Sequence, residues 1–325
     1  MKAIVVYQDH QTPQLVWEEV ADVTFNENQV LVDVQATAVN RADLSQARGH
    51  YPPPPGESEI LGLEMAGSIT AVGANVTGWQ VGDRVCALLA GGGYAEQVAV
   101  YPQMLLKLPD EWSFAQGAAA PEVWLTAFVN LFLEGHLQAG ERVLLHAGAS
   151  GVGTAAIQLA KASEAFVITT AGTAAKVEAC RELGADLAIN HKEEDFLTVL
   201  LTATDNQGVD LILDPVGGSY LPQNLKALRE GGRLVCIGLL GGRQGELDMG
   251  LVLGKSLRVI GSRLRPRPLT EKIQITQAFR ERFWPLLVSG QLRPIIDSTF
   301  PLAEAQAAHE YVRQNRNIGK VILTR

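Results

Sequence analysis

The spacing of hydrophobic and polar positions divides the chain into two regions. Up to about Pro109, short valine-rich runs alternate with turns containing glycine and proline, a pattern typical of a β-rich domain. From Glu141 onward, β-branched runs alternate with segments in which alanine, leucine and charged residues recur at helical spacing. In the first region, strands are predicted at residues 3–7, 29–36 and 84–88.

The second region has the strand–helix alternation that builds a parallel sheet. Its predicted strands cover residues 142–147, 166–171, 186–190, 209–214 and 233–238, and its predicted helices cover 152–162, 174–183, 194–203 and 220–229. A strand over Leu257–Arg263 would extend the sheet, followed by a helix over 271–288 and a strand over 321–323. We therefore predict an α/β fold with a doubly wound parallel sheet beside a β-rich domain.

Length and charge restrict the possible functions. The 325 residues are enough for about two domains, since a domain averages roughly 150 residues. The 27 basic and 35 acidic side chains give a formal net charge of −8 without a long run of like charges, which disfavours nucleic acid as a partner. Three cysteines lie too far apart in the sequence for a local disulfide or metal pair, which fits a reducing cytoplasm.

Neither an export signal nor a membrane span is predicted. The apolar run that begins at Ala3 is too short for a signal peptide. The longest apolar stretch, 117–133, is interrupted by Pro121 and Glu122, so a buried helix explains it better than a membrane span. We expect a soluble, cytoplasmic protein.

A glycine-rich loop lies between the first strand of the second region and its first helix. Residues 146–153 read His-Ala-Gly-Ala-Ser-Gly-Val-Gly, with Ser150 in place of the middle glycine of the dinucleotide fingerprint. Small residues let the backbone approach a pyrophosphate, and a helix starting near Gly151 directs N–H groups at the anion. The alternative is an ordinary tight turn, but the surrounding βαβ pattern favours a dinucleotide site.

The end of the second strand favours NADPH over NADH. An NAD site usually carries an acidic residue there, but residues 170–173 are Thr-Ala-Gly-Thr, Lys176 follows, and Glu164 precedes the strand at its other end. A hydroxyl and a cation suit the 2′-phosphate of NADPH. His191 and Lys192 follow the third strand and could add to this pocket, although Lys192 could equally belong to a solvated loop.

The histidines do not predict a metal site. The six are spaced without an H-x-x-x-H pair or zinc-finger spacing, so no zinc is expected. We assign no role to His10 and His136. His146 lies at the end of a strand, where a packing role is favoured over a catalytic one.

Three segments carry a resemblance to a known superfamily. Residues 36–44, Gly62-Leu63-Glu64 and residues 147–153 resemble the medium-chain dehydrogenases/reductases over essentially the whole chain. In the zinc-dependent alcohol dehydrogenases of that superfamily, the first two segments carry a cysteine and a histidine ligand, and here those positions hold Asn40 and Leu63. The cysteine-rich lobe that binds structural zinc is also missing. The chain therefore resembles the zinc-free quinone oxidoreductase (zeta-crystallin-like) family.

Further motifs look like the stress-inducible NADPH quinone oxidoreductase subgroup. They are Asn40–Leu44, Tyr51–Pro54, Ile60–Glu64, Gly91–Gly93, Trp124–Phe128 and Asn317–Lys320. The resemblance implies a GroES-like β-barrel domain over residues 1–120, completed by 264–325, and a Rossmann NADPH-binding domain over 121–263. It also implies a homodimer through the edge strand Leu257–Arg263, and pairing would protect that edge from aggregation.

The family also implies roles for individual residues. Asn40 and Thr126 would hold the nicotinamide carboxamide, and Leu239 would cover the nicotinamide. The remaining cofactor-binding candidates are Ser150, Gly151 and Val152 for the pyrophosphate, Gly172, Thr173, Lys176 and His191 for the 2′-phosphate, and Asn317 as a further contact. His191 replaces a tyrosine common in relatives, and a protonated imidazole would make cofactor affinity depend on pH.

The activity implied is zinc-free quinone reduction by NADPH in a cleft between the domains. It requires orientation and exclusion of water rather than a strong general acid, and the catalytic candidates are Asn40, Tyr51 and Thr126. Tyr51 could stack on a planar acceptor or simply cover apolar surface, and Asp43 could cap or orient Arg41. The alternatives are an NADPH-dependent reductase of activated carbon–carbon double bonds and a non-catalytic NADPH-binding protein.

Overall fold

The computed structural model describes residues 1–8 and 12–325, so His10 lies outside the described residues. Its internal contacts divide the chain into two units. Unit 1 comprises Met1–Leu125 and Arg265–Arg325, and unit 2 comprises Thr126–Leu264. The sequence analysis predicted domain limits after residues 120 and 263.

Unit 1 is rich in strands, whereas strands and helices alternate along unit 2. The strands are β1 (Lys2–Tyr7), β2 (Gln14–Glu19), β3 (Val30–Val39), β4 (Glu64–Val72), β5 (Arg84–Leu88), β6 (Gln97–Val100), β7 (Leu105–Lys107), β8 (Arg142–Leu145), β9 (Phe166–Ala171), β10 (Leu187–Asn190), β11 (Val209–Asp214), β12 (Leu228–Cys236), β13 (Arg258–Gly261), β14 (Ile296–Pro301) and β15 (Lys320–Thr324). The helices are α1 (Arg41–Ala47), α2 (Phe114–Ala118), α3 (Pro121–Phe128), α4 (Gly151–Ala162), α5 (Ala174–Glu182), α6 (Phe196–Ala203), α7 (Leu221–Ala227), α8 (Met249–Gly254), α9 (Leu269–Arg282), α10 (Trp284–Val288) and α11 (Ala305–Arg313).

Unit 1 is built on a seven-stranded sheet in the order β14-β15-β3-β4-β5-β7, with β6 also paired to β3. The long strand β3 is central, because the antiparallel strands β4, β6 and β15 all pair with it. It extends beyond the predicted 29–36 because its last residues pair with β15, with Val39 opposite Val321. The unit's core includes Leu61, Tyr94 and Leu323.

Unit 2 is a parallel sheet in the order β10-β9-β8-β11-β12-β13. All six residues of β11 are buried, as expected for a central strand with helices on both faces. The strand order reverses between β8 and β11, and in doubly wound sheets the carboxyl ends at such a point form the ligand crevice. The predicted α/β architecture, a Rossmann sheet with a GroES-like domain, is confirmed.

Three helix predictions were wrong in extent. The helix predicted over 271–288 is two helices, α9 and α10, because Pro285 lacks the N–H that a continuous helix needs. The apolar stretch 117–133 is likewise broken before Pro121, and α3 continues into a π-helical turn over Val129–Glu134. The helix predicted over 220–229 ends at Ala227, where β12 begins.

Candidate functional site

The glycine loop of unit 2 turns sharply out of the sheet after β8. Ala147 has a φ of 55°, so β8 ends at Leu145 instead of reaching residue 147 as predicted. A Cβ atom at Gly148 would lie 1.9 Å from Thr169 Oγ1, and one at Gly153 would lie 2.4 Å from the carbonyl oxygen of Ala147. Both positions therefore require glycine for close packing of the helix on the strands.

Ser150 begins helix α4 and caps it. Its hydroxyl accepts a hydrogen bond from the N–H of Gly153 at 3.0 Å, and its carbonyl accepts one from the N–H of Thr154 at 2.8 Å. The N–H groups of Gly151 and Val152 lie in the first helical turn, which supplies no acceptor for them. With the positive end of a twelve-residue helix behind them, these two groups fit the pyrophosphate of a dinucleotide.

Cationic and hydroxyl groups gather where β9 ends. Thr173 caps helix α5, accepting from the N–H of Lys176 at 3.3 Å, and the first turn of α5 holds no acidic residue. A Cβ atom at Gly172 would lie 3.2 Å from His191 Nε2 and 3.4 Å from Lys192 Cε. Lys192, for which the sequence left two roles open, thus lies beside Gly172 with His191.

His191 is the residue of this cluster whose charge can change near neutral pH. Partial desolvation and the positive charge of Lys192 lower the pKa of His191 from its usual 6.5. In the free protein His191 is therefore neutral at neutral pH. The backbone N–H of His191 donates to the carbonyl of Ala171 at 3.0 Å, which fixes the end of β10 against the end of β9.

The structure places the remaining cofactor candidates in different surroundings. Leu239 is 56% exposed, and its neighbour Leu240 donates its N–H to the carbonyl of Pro215 at 3.1 Å. Thr126 is half-buried in α3, and its carbonyl accepts from the Asn130 side chain at 2.7 Å. Asn317 in unit 1 donates from Nδ2 to the carbonyl of Gly319 at 2.7 Å, a bond within its own turn.

Asn40 of unit 1 is fixed between two buried charges. Its Nδ2 donates to Glu64 Oε1 at 2.9 Å, and its Oδ1 accepts from Lys320 Nζ at 2.6 Å. Lys320 and Glu64 also form an ion pair at 2.8 Å, with their side chains 3% and 0% exposed. The other Glu64 oxygen accepts from the N–H of Glu122 at 2.9 Å. The Asn40 amide is therefore held in one orientation, with its oxygen toward the cation.

Sequence reasoning quoted Glu64 and Lys320 within motifs but gave them no role. The signal was a lone carboxylate in the apolar segment 60–66 and a lone cation at the start of an apolar run, 320–323. Buried charges are rare unless they are paired, so two such residues suggest each other as partners.

Asp43 caps helix α1 from a fully buried position. Its carboxylate accepts from the N–H of Asn40 at 2.8 Å and from the N–H of Gly62 at 3.1 Å. Burial raises the pKa of this carboxyl to about 6, although the two N–H groups oppose the shift. Of the two roles predicted for Asp43 the capping role is confirmed, whereas the Arg41 side chain bonds to Asn315.

Arg265 joins the two loops that stand out in the sequence of unit 1. Its buried guanidinium donates through Nε to the carbonyl of Ala90 at 2.7 Å, just before the glycine loop 91–93. It also donates to the carbonyl of Tyr51 at 3.3 Å and to Gln46 Oε1 at 2.8 Å. The guanidinium carbon lies 5.3 Å from the centre of the Tyr51 ring. The proline loop is thus anchored at Tyr51, a contact that sequence reasoning missed.

Residues 1–8 and 12–325 hold no group of three or more histidine, cysteine, aspartate or glutamate side chains placed to bind a metal ion. No helix in this part of the chain has the length and apolar character needed to cross a bilayer. His146, predicted to be packed, is 2% exposed.

Two family models match the chain. Residues 26–110 match the alcohol dehydrogenase GroES-like domain, and residues 151–279 match the zinc-binding dehydrogenase domain. The quinone oxidoreductase of Rattus norvegicus is 33% identical over 301 residues, which cover 91% of this chain and 89% of the relative.

Solved structures agree with these matches. The Escherichia coli quinone oxidoreductase complexed with NADPH is 30% identical, with a TM-score of 0.88 over 100% of both chains. The CurK enoyl reductase is 31% identical, with a TM-score of 0.83 over 95% of each chain. The chain therefore belongs to the zinc-free quinone oxidoreductase family of the medium-chain dehydrogenases/reductases and is an oxidoreductase of the type that uses NAD(P)H.

Proposed function

We propose that the protein is an NADPH-dependent quinone oxidoreductase that works without zinc. The observation that carries the choice of cofactor is the cluster at the end of β9, where Thr173, Lys176, His191 and Lys192 stand in place of an acidic residue. A carboxylate there would bind the ribose hydroxyls of NADH, whereas cations and a hydroxyl favour a phosphate. The NADPH complex of the Escherichia coli relative supports the same choice.

The glycine loop provides the second contact with the cofactor. In this proposal the pyrophosphate lies on the N–H groups of Gly151 and Val152. The Ser150 hydroxyl accepts from the N–H of Gly153 and so stabilises the helix end, rather than binding the anion itself. Close packing at Gly148 and Gly153 leaves no room for a side chain between this helix end and the sheet.

The chemistry requires orientation more than proton transfer. Bound NADPH supplies a hydride, and protons can be collected from water. Asn40 and Thr126 are the proposed ligands of the carboxamide, with Asn40 pre-oriented by Glu64 and Lys320 so that no ordering is needed on binding. Tyr51 is the proposed contact for a planar acceptor.

One alternative is favoured by a specific observation. The CurK enoyl reductase covers 95% of this chain, so reduction of an activated carbon–carbon double bond is the second candidate. It would use the same cofactor site, and only the acceptor would differ.

The test is steady-state oxidation of NADPH and of NADH with an ortho-quinone, a para-quinone and an enone, using chelator-treated protein. We expect quinone-dependent oxidation with NADPH preferred. Lys176→Ala should raise the KM for NADPH about tenfold and leave that for NADH unchanged, since a charged hydrogen bond is worth roughly 1.5–3 kcal/mol. Arg181→Ala, at the exposed far end of the same helix, is the matched control. Turnover of the enone alone would select the alternative, and equal use of both cofactors would reject the phosphate cluster.

We also propose a cytoplasmic homodimer of the stress-inducible subgroup, joined through β13. That strand is the edge of the sheet, and Val259 within it is 45% exposed. An unpaired edge is a hazard that pairing with a second copy removes. Light scattering should give twice the chain mass, and Val259→Lys should shift it to the monomer. A parent that is monomeric at micromolar concentration would reject this interface.

A further inference from the structure

We infer that His146 is a positioning residue that connects the adenosine end of the proposed cofactor site to its nicotinamide end. The inference rests on the proposed binding of NADPH to unit 2. The imidazole lies among Thr170, Asn224 and two aromatic rings, those of Phe196 and Tyr220, at the carboxyl end of β8. Its Nδ1 lies 3.0 Å from Thr170 Oγ1, and its Nε2 lies 2.8 Å from Asn224 Oδ1.

Thr170, His146, Asn224 and Asp214 are joined in this order by hydrogen bonds, here called the imidazole chain. The direction of each bond follows from Asp214. The Asp214 carboxylate can only accept, so the Asn224 amide nitrogen, 3.0 Å away, faces it and donates. The Asn224 oxygen must then accept from His146 Nε2–H, which leaves Nδ1 to accept from the Thr170 hydroxyl. Burial lowers the pKa of His146 to about 4, so the ring is neutral at physiological pH and holds this single tautomer.

The Thr170 end of the chain carries the adenosine part of the site. The carbonyl of Thr170 accepts from the N–H of Gly148 in the glycine loop at 2.9 Å. Thr170 also lies two residues before Gly172, where the proposed 2′-phosphate cluster begins. The Thr170 backbone is thus tied to the glycine loop and its side chain to His146, so Thr170→Val breaks only the second bond.

The Asp214 end carries the nicotinamide part. The carboxylate accepts from the N–H of Val216 at 2.6 Å and from that of Gly217 at 3.2 Å, which closes the turn after β11. Within this turn the carbonyl of Val216 accepts from the N–H of Gly241 at 2.7 Å. The turn after β11 thus holds the segment that contains Leu239, the proposed cover of the nicotinamide.

These contacts give His146 a function that packing alone does not require. A phenyl ring would fill the space, but it could not fix the polarity of the bonds on both sides. We expect the chain to keep Leu239 in place for hydride transfer, so that breaking it lowers kcat rather than the affinity of the adenosine half.

The direct test is nitrogen NMR of the protein labelled in histidine, with His146→Gln used to assign the signal. We expect the neutral Nε2–H form of His146 to persist down to about pH 5. In Thr170→Val, which removes the hydroxyl and keeps the shape, the Nε2–H tautomer should persist, because Asn224 Oδ1 still accepts from it. In Asp214→Asn, which lets the Asn224 amide reverse, the tautomers should become mixed. A charged ring at pH 7, or the Nδ1–H tautomer in the parent, would overturn the inference whatever the enzyme reduces.

The functional test compares Thr170→Val with Thr170→Ser and Thr204→Val. Thr204 is a buried threonine of the same unit whose hydroxyl donates to the carbonyl of Leu200, so its loss controls for general destabilisation. We expect kcat to fall about fivefold in Thr170→Val, with unchanged affinity for 2′,5′-ADP, and to recover in Thr170→Ser. Equal kcat in all variants, or weaker 2′,5′-ADP binding alone, would reject the positioning role. Failure of the parent to bind 2′,5′-ADP would instead reject the proposed cofactor and leave the NMR result standing.

Discussion

Each unit contains a buried polar network, and the two are stabilised in different ways. In unit 1, the ionic network of Asn40, Glu64 and Lys320 depends on two opposite charges with almost no exposure. In unit 2, the imidazole chain from Thr170 to Asp214 depends on a histidine without charge. The ionic network fails when one charge is removed, whereas the imidazole chain fails when a proton is added.

The largest expected effect comes from breaking the ionic network. Lys320→Met leaves the Glu64 carboxylate buried without its cation, which should lower the free energy of unfolding of unit 1 by about 3–5 kcal/mol. All five tryptophans lie in unit 1, so their fluorescence during urea unfolding follows that unit. The double variant Glu64→Gln/Lys320→Met restores neutrality and should recover most of the loss. A double variant as unstable as the single one would contradict the electrostatic explanation.

Acid should lower the free energy of unfolding of unit 2 more than that of unit 1. His146 has its pKa depressed from 6.5 to about 4, so its neutral form contributes stability that is present above pH 6.5 and lost as pH falls through 4. The loss between pH 7 and 4.5 amounts to about 2 kcal/mol for unit 2. The raised pKa of Asp214 offsets part of it, because protonation of that carboxyl is easier in the folded state.

In unit 1 two shifts of opposite sign nearly cancel. Burial lowers the pKa of His309 to about 3, so acidification lowers the stability of unit 1 in the same way as His146 does in unit 2. The Asp43 carboxyl has its pKa raised to about 6, so it gains stability as pH falls from 6 toward 3.8. Circular dichroism, which reports both units, should therefore show an acid-sensitive transition that tryptophan fluorescence does not. His146→Gln should remove the difference, and coincident transitions at every pH would contradict it.

The two sites also differ in how far the sequence could predict them. The proposed cofactor site of unit 2 comes from residues 146–192. Its signals are local, namely a glycine loop between strand and helix and a missing acidic residue after the next strand. In the ionic network, Asn40 lies 24 positions from Glu64 and 280 positions from Lys320 in the sequence. No local pattern specifies that pairing. The same holds for Arg265, whose contacts with Tyr51 and Ala90 come from folding and not from any motif.

The next largest effect tests close packing at the glycine loop. Gly153→Ala places a Cβ atom 2.4 Å from a backbone oxygen that cannot move aside, so the helix end should withdraw and NADPH affinity should fall more than about tenfold. Gly254→Ala is the control, since its added Cβ atom meets nothing within 4 Å at the end of α8. Calorimetric titration would measure the NADPH affinity of both variants. If Gly153→Ala binds NADPH as tightly as the parent, this loop does not contact the cofactor.

The smallest effect concerns His191. A bound 2′-phosphate stabilises its protonated form, which the free protein disfavours, so NADPH should bind about threefold more tightly as pH falls from 7.5 to 6. The phosphate itself also titrates near pH 6, and comparison with His191→Gln removes that contribution. NADH affinity should show no such slope. Parallel pH profiles in parent and variant would show that His191 does not contact the phosphate.

The pairing of β15 with β3 has a consequence for how the chain is made. The sheet of unit 2 uses the continuous stretch from β8 to β13, so it can form as soon as that stretch leaves the ribosome. The sheet of unit 1 must wait, because Lys320 and the partner of Val39 are synthesised almost 300 residues after β3 begins. During that interval Glu64 lacks its cation and one edge of β3 lacks its strand. Unit 1 can therefore be completed only after the sheet of unit 2 has been synthesised, when Lys320 reaches Glu64.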